Sequence, residues 1–544
     1  MIQKHFTLLV LLLVVMLQSF AANWYFHPAE GDDQNTGTST DDPFRKLAKI
    51  ADLTLTAGDT LFLNNGAPFN EPLILEGLKG QIGHEIVVMP YGDKENETKE
   101  NAAIDAAGWM NGILLKNCSG VKIQNISVHA NGYKTEQPQE GNMRCGVLVT
   151  ATEPGDYGNI TLSGLDIYDV FYENPGFNRG TDEVRTANGT QNYGWGIRFI
   201  NNTEGAMMSK VKLTDSRVHN VAHTGVKFTS YRGGIRDVFV SGCRITRTGG
   251  PGIQMSGLVN GHFHHNKVNY SGSPDDSRKW GRGSGLWTWN SDSVIIEHNE
   301  FRNANGPGDS AGCHIDFHCN NIIVQYNISE NNAGGFIEVL GNNYNCAYRF
   351  NISINDGHRV KGENGAFQEG KVFWLSGYQG SNSPRKGPFN SYFYNNTIFV
   401  DESIEAKFAV APTAEGVMIV NNIFYIAGNS SIVAGDQFKP DDVMESGLKK
   451  YFVSNNLFLK AENWPLQPFM PDNNLMTGNP EFQNAGGNQA SDYIPKNMDM
   501  VAGKGIQPKP LNDDTTGLFK GMQVKYDILG NPVKNNYPLG AIVP

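Results

Sequence analysis

Four segments follow one another in the middle of the chain: Val294-Ile-Ile-Glu-His-Asn299-Glu-Phe, Ala311-Gly-Cys-His-Ile-Asp-Phe317, Ile322-Ile-Val-Gln-Tyr-Asn327-Ile-Ser and Gly334-Gly-Phe-Ile-Glu-Val339. Two alternate with two. One kind is a short β-type run ending in an Asn. The other is a strand led by Gly in which apolar and polar residues alternate, the mark of a strand with one face in a core. Working outward, the Asn recurs at Asn266, Asn299, Asn327, Asn351, Asn396, Asn422 and Asn456, at intervals of 33, 28, 24, 45, 26 and 34 residues. Asn125 reads as an earlier member. The Gly-led strand recurs at Trp195-Gly-Ile-Arg-Phe, Thr224-Gly-Val-Lys-Phe, Pro251-Gly-Ile-Gln-Met and Ser284-Gly-Leu-Trp-Thr-Trp. A unit of a little over 20 residues with insertions is the signature of a solenoid.

A parallel coil explains the Asn. Each coil would set the same corner about 4.8 Å above the last. Asn tolerates a left-handed bend, and its amide can bond to the next Asn, so the corners would form a ladder. Four of these positions (Asn125, Asn327, Asn351, Asn395) lie in or beside N-x-S/T patterns and are read as ladder residues. The expected fold is all-β, a right-handed single-stranded parallel β-helix with an N-terminal helical cap. Alternating βαβ lacks its helices here, and a propeller lacks its regular blade period.

Composition agrees. The chain has 544 residues, a formal charge of −11, 62 Gly against 25 Pro, 18% charged and 10% aromatic residues. Disorder, collagen and coiled coil are excluded. No basic tract favours nucleic acid. Lys4, the apolar run Phe6 to Leu17 and Ser19-Phe20-Ala21 read as a secretory signal cut after Ala21 or Ala22. No later run is long enough to span a bilayer, and no Cys stands at the cut to carry a lipid. A secreted or periplasmic monomer is expected. Six cysteines are too few for a disulfide scaffold and read as small core residues, with one or two bridges left open.

The expected organisation is a signal peptide at 1–21, a cap and first coils at 22–110, a β-helix with substrate groove at 111–460, and C-terminal coils with a closing tail at 461–544. Pro43 to Ala51 reads as a short amphipathic helix with Phe44, Leu47, Ile50 and Ala51 on one side. It could plug the first coil. No cofactor is expected, although the acidic loop Asp32, Asp33, Asp41 and Asp42 could hold a structural calcium.

If the hydrophobic residues of the Gly-led strands fill the core, Arg198, Lys227, Gln254, Trp287, Asp316 and Glu338 form one outward column, with His314 beside it. Asp316 and Glu338 are 22 residues apart, one coil. That would place their carboxyls close to the roughly 5–5.5 Å that a retaining glycosidase needs. Two carboxyls so close raise the pKa of one, as a proton donor requires. Trp280, Trp287 and Trp289 supply flat faces for sugars, and His223 and Asp309 flank the column. Glu363 and Glu369 could reach it from an insertion.

The opening Trp24-Tyr-Phe-His-Pro, the loop Gly31-Asp-Asp-Gln-Asn-Thr-Gly-Thr, Ala57-Gly-Asp-Thr-Leu-Phe-Leu and the closing Asp527-Ile-Leu-Gly and Pro538-Leu-Gly-Ala-Ile resemble the secreted, pectate-lyase-like β-helix carbohydrate enzymes. The resemblance covers nearly the whole chain. It implies the fold more narrowly than the activity, since this fold hosts lyases, hydrolases, esterases and adhesins. His314-Ile-Asp-Phe and Phe336-Ile-Glu-Val resemble the segments of β-helix glycoside hydrolases of the β-xylosidase and α-fucosidase kind. That resemblance implies Asp316 as nucleophile and Glu338 as acid/base, with an oligosaccharide or polysaccharide as partner. A polysaccharide lyase using Lys227, Arg198 and Arg232 on a uronate is the alternative, and a non-catalytic glycan-binding solenoid is the third reading.

Overall fold

The computed structural model describes residues 21–92, 101–132, 144–171, 194–231, 233–272, 282–437, 440–442, 444–534 and 537–544. The signal segment therefore lies outside the described residues, apart from Ala21.

The chain winds as a right-handed parallel β-helix with three walls, which among the described residues are sheets of 14, 13 and 12 strands, each strand paired in parallel with its equivalent one coil away. A representative coil runs through Ile235–Ser241 in the first sheet, Arg244–Thr248 in the second and Ile253–Ser256 in the third. The Gly-led strands make the third sheet; the second sheet lies between them and the Asn corner. Inward residues alternate as expected. Val226 and Phe228 are buried against their neighbours, and Phe199 and Phe228 stack with centroids 4.6 Å apart. The leading glycines mark close approach between coils. A Cβ on Gly252 would come within 2.2 Å of Val268 and 2.8 Å of the Gly285 carbonyl oxygen.

The ladder forms as the spacing predicts. Asn266 Nδ2 donates to Asn299 Oδ1, Asn299 to Asn327 and Asn327 to Asn351, each at 3.0 Å. The series continues through Asn396, Asn422 and Asn456, and Asp472 Oδ2 accepts the last amide at 2.7 Å. Each Oδ1 also accepts the backbone N–H of the preceding coil's Asn, as from Asn299 to Asn327 at 2.9 Å. One expectation is corrected. The left-handed bend belongs to the residue before each ladder Asn: His265, His298, Tyr326, Phe350, Asn395, Asn421 and Asn455 have φ of 52–58°. Asn125 and Asn395 occupy that bend and are not rungs. His and Tyr tolerate it because their rings stack outside the corner, His265 on His298 at 5.1 Å and His298 on Tyr326 at 5.0 Å.

The cap is a 3-10 helix, Leu47–Asp52, shorter than the expected amphipathic helix. Phe44, Leu47 and Ile50 are buried while Ala51 is exposed, because a 3-10 turn eclipses positions three apart and carries Ala51 off the apolar side. Asp32, Asp33 and Asp42 cap backbone N–H groups of their own loop. Among the described residues no group of three or more His, Cys, Asp or Glu is placed to hold a metal ion. All six cysteines are buried and unpaired, which removes the possible bridges. The tail does more than close the end. It runs back along the outside of the coils: Asn345 donates to Asp514, Arg349 to the Gly521 carbonyl, Tyr394 to that of Met522 and Asn395 to that of Pro538.

Asn351→Ala deletes the rung between Asn327 and Asn396. It leaves a buried N–H and amide on Asn327 without their acceptor, a loss of about 1–3 kcal/mol. A lower midpoint of chemical denaturation, with the exposed Asn488→Ala unchanged, is the expected result.

Candidate functional site

Connections from the second to the third sheet are among those that lengthen, and two of them, residues 303–312 and 355–370, stand beside the same stretch of the third wall. A second amide pair fixes their bases. Asn332 Nδ2 donates to Asp356 Oδ1 at 2.9 Å, while Asn332 Oδ1 accepts the Ala304 N–H.

The strand register sets the outward column. Arg198 pairs with Lys227, Lys227 with Gln254, Gln254 with Trp287 and Trp287 with His314. Ile315 pairs with Val339, so Glu338 stands beside His314, and Trp374 follows it. Here the sequence reading is corrected. His314, not Asp316, occupies the column. Asp316 lies just past the end of its strand, Cys313–Ile315, in the adjoining outward row. Nor is this a solvated face. Arg198, Gln254, Trp287, His314, Asp316 and Glu338 are all buried, Asp316 and Glu338 at 4% and 3% exposure.

Around Asp316 the side chains converge. Trp287 Nε1 donates to its Oδ2 at 2.7 Å and the Phe317 N–H to its Oδ1 at 2.8 Å. Asp309 comes from the 303–312 connection, where it and Ser310 take positive φ. Its Oδ1 accepts Arg282 at 2.7 Å, and its carbonyl accepts Arg359 at 3.0 Å. His314 Nδ1 is 3.1 Å from Ser284 Oγ, and its ring is 5.4 Å from Trp287. Beyond Glu338, Lys371 Nζ meets Asp436 at 2.6 Å and lies 3.9 Å over the Trp374 ring.

These environments separate the carboxyls. Burial pushes Asp316 up to about 8, and the negative charge of Asp309 works the same way. Burial is the largest influence on Asp309 and would raise it, but the Arg282 guanidinium, its hydrogen bond and the further positive neighbours together hold Asp309 below the usual carboxylate range. Burial and the charge of Asp309 hold Glu338 well above its ordinary value. Glu338 Oε1 is buried with no hydrogen-bond partner among the described residues. Burial pulls His314 down to about 4, so its ring is neutral at pH 7.

The remaining expected residues distribute along the wall. His223 is buried against Trp195, centroids 4.1 Å apart. Arg198 lies 4.6 Å and Lys227 5.7 Å over the same indole. Burial and the like charge of Arg198 bring Lys227 to about 7. Trp289 is 37% exposed and meets Phe317 edge-on, which in turn meets Tyr378, a strip of rings alongside Asp316. Trp280 and Arg232 lie outside the described residues. Glu369 is held by Lys407 at 2.9 Å, and Glu363 is exposed. Arg282 stands beside the tryptophans in the sequence; sequence reasoning missed Arg359 and Asp436 because they sit in irregular connections, where no period marks them, and missed Lys371, which opens the strand Lys371–Leu375, as well.

Comparison with known proteins follows the same lines. Residues 195–398 match the family model of the right-handed β-helix region. The lacto-N-biosidase of Bifidobacterium longum subsp. longum is 23% identical over 637 aligned positions, covering 96% of this chain and 36% of that protein. The chain thus spans about a third of the length of the curated relative it matches. The crystal structure of the GH136 lacto-N-biosidase from Eubacterium ramulus superposes with a TM-score of 0.53 at 17% identity, covering 80% of this chain and 68% of that one. Its selenomethionine derivative gives 0.52 at the same identity, covering 80% and 67%. The fold is that of the right-handed parallel β-helix proteins.

A raised Asp316 has a sign that can be checked. With a folded pKa of about 8 against an ordinary 3.8, the folded state holds an extra proton between those values. Stability from this group is therefore greatest at the acidic end and falls as pH rises toward 8, by up to about 1.4 kcal/mol per pH unit. Asp316→Asn should flatten the decline of Tm between about pH 5 and pH 8. Parallel curves for variant and wild type would place Asp316 at an ordinary pKa.

Proposed function

We propose that the chain is a glycoside hydrolase, secreted or periplasmic, acting on an oligosaccharide or polysaccharide in the groove of the third sheet. The observation that carries this reading is the pair of buried carboxyls beside the third sheet, Asp309 held ionised with Arg282 against it and Asp316 held protonated by burial. Two carboxyls whose environments drive their pKa values apart supply one acid and one carboxylate, as glycosidic cleavage requires. The likeness to lacto-N-biosidases supports the class of reaction.

In this reading Asp316 gives its proton to the glycosidic oxygen, with Trp287 and the Phe317 N–H fixing its plane. Asp309 faces the positive charge that develops at the anomeric carbon, and acts as nucleophile in a retaining mechanism. The proposal departs from the pairing suggested by the resemblance, Asp316 with Glu338. Glu338 keeps a proton and an unpartnered oxygen, which suits it to a substrate hydroxyl. The ring strip Trp289–Phe317–Tyr378 offers stacking for sugar faces. The cations Arg198 and Lys227 favour the lyase as second reading, since they could neutralise a uronate.

A panel of aryl glycosides, an aryl lacto-N-bioside among them, and soluble polysaccharides tests this. Asp309→Asn and Asp316→Asn should each lower kcat by about 10²–10⁴. Asp316→Asn should retain more activity on good leaving groups than on poor ones; the reverse pattern would exchange the two roles. Glu338→Gln should raise KM more than it lowers kcat. The wild-type rate should fall on the alkaline side near the pKa of Asp316, about 8. An ultraviolet-absorbing unsaturated product from an acidic polysaccharide would instead establish the lyase.

A further inference from the structure

The returning tail covers part of the first sheet and leaves a cavity of about 810 Å³ beneath residues 506–513. Its floor is formed by four successive strands, Tyr344–Arg349, Phe389–Tyr394, Glu415–Val420 and Lys449–Ser454. It lies on a different wall from the carboxylate groove and shares no residue with it. Its volume is within the range of small-ligand sites, about 300–1,000 Å³.

The lining is of two kinds. Tyr344 and Phe389 are in register on neighbouring coils, and their rings stack on one another with centroids 4.8 Å apart at 18°. Phe452, from the last of the four strands, is 38% exposed. Around these rings stand two carboxylates, Glu415 and Asp513, and two ammonium groups, Lys450 and Lys509. Lys450 Nζ is 3.1 Å from Glu415 and 3.5 Å from Asp513. Exposed pairs of this kind are worth about 0–1 kcal/mol, so a ligand can replace them at small cost.

We propose that this cavity is a second, non-catalytic carbohydrate site, binding a neutral oligosaccharide segment. The charges balance, which selects against polyanions and polycations alike. A sugar hydroxyl both donates and accepts, matching carboxylates and ammonium groups set side by side. The exposed ring of Phe452, which lines the cavity, takes the C–H face of a pyranose, as aromatic side chains take other flat apolar faces. The inference does not rest on the reaction assigned to the groove, because the two sites lie on separate walls.

The test uses the full chain carrying Asp316→Asn to suppress turnover, titrated calorimetrically with neutral cello-, xylo-, manno-, galacto- and lacto-series tetrasaccharides. Phe389→Ala with Phe452→Ala should weaken binding of at least one of them about tenfold. The same pair, placed in the chain with Asp316 intact, should leave turnover of a small aryl glycoside within about twofold. Should the aromatic variant fail to fold, Glu415→Gln with Asp513→Asn, both at the cavity rim, should weaken the same ligand. Binding of every tetrasaccharide at unchanged affinity in a folded variant, or no binding by the parent, overturns the proposal. Loss of activity in Asp309→Asn with cavity binding intact separates failure of one site from failure of the other.

Discussion

The amide ladder between the first and second walls is the constraint on which the rest of the molecule depends. A parallel coil has no hairpin to fix its register, and a slip of one residue would turn every core side chain outward. Each Asn from Asn266 to Asn456 binds the coil on either side through both its amide and its backbone. One corner is thereby locked coil after coil. The glycines that lead the third-sheet strands then allow the opposite corner to close without a Cβ between coils. With two corners fixed, the connections between the second and third sheets are free to lengthen, and the candidate site is built from them.

Those connections bring charges that the strands alone would not bury. Arg282, Asp309 and Arg359 are buried together in the loops, and Lys371 with Asp436 beyond Glu338. Buried pairs of this kind seldom add stability over an apolar core, since desolvation offsets their attraction. Their effect here is electrostatic. Arg282 fixes the negative charge on Asp309, and that charge, with burial, keeps protons on Asp316 and Glu338. One ionised and two neutral carboxyls are held within a single stretch of wall.

The winding was legible because it repeats. Seven Asn corners and the Gly-led strands carry the same local chemistry many times, so each unit checks the next. The second sheet was less visible, since strands such as Arg244–Thr248 and Arg217–Val221 carry Arg, Thr and His on their outer faces and no Gly at the start. The site was legible in part. Alternation put Glu338, Trp287 and Gln254 on the outer wall, but it could not supply the offset that sets His314 against Glu338. The turn at Gly334-Gly335 and the bend through Asp309-Ser310 determine it. Burial around Asp309 was likewise hidden, because the contacts there come from residues 303–312 and 355–370, and such irregular segments have no period to read.

Why the ionised carboxylate of the candidate site should come from a loop rather than a strand follows from geometry. Residues on adjacent strands stand at a fixed spacing of about 4.8 Å, and their side chains leave the wall in parallel. A column can therefore grip a sugar chain but cannot aim two carboxyls at one bond from different directions. Asp309 escapes this limit. Its positive φ turns it out of the strand path, Gln368 accepts its N–H, and Arg359 holds its carbonyl from the neighbouring connection. Asp316, at the end of its strand, is oriented by Trp287 from the coil below. The wall supplies the row of contacts, the loops supply the convergent charge, and a groove of this kind needs both.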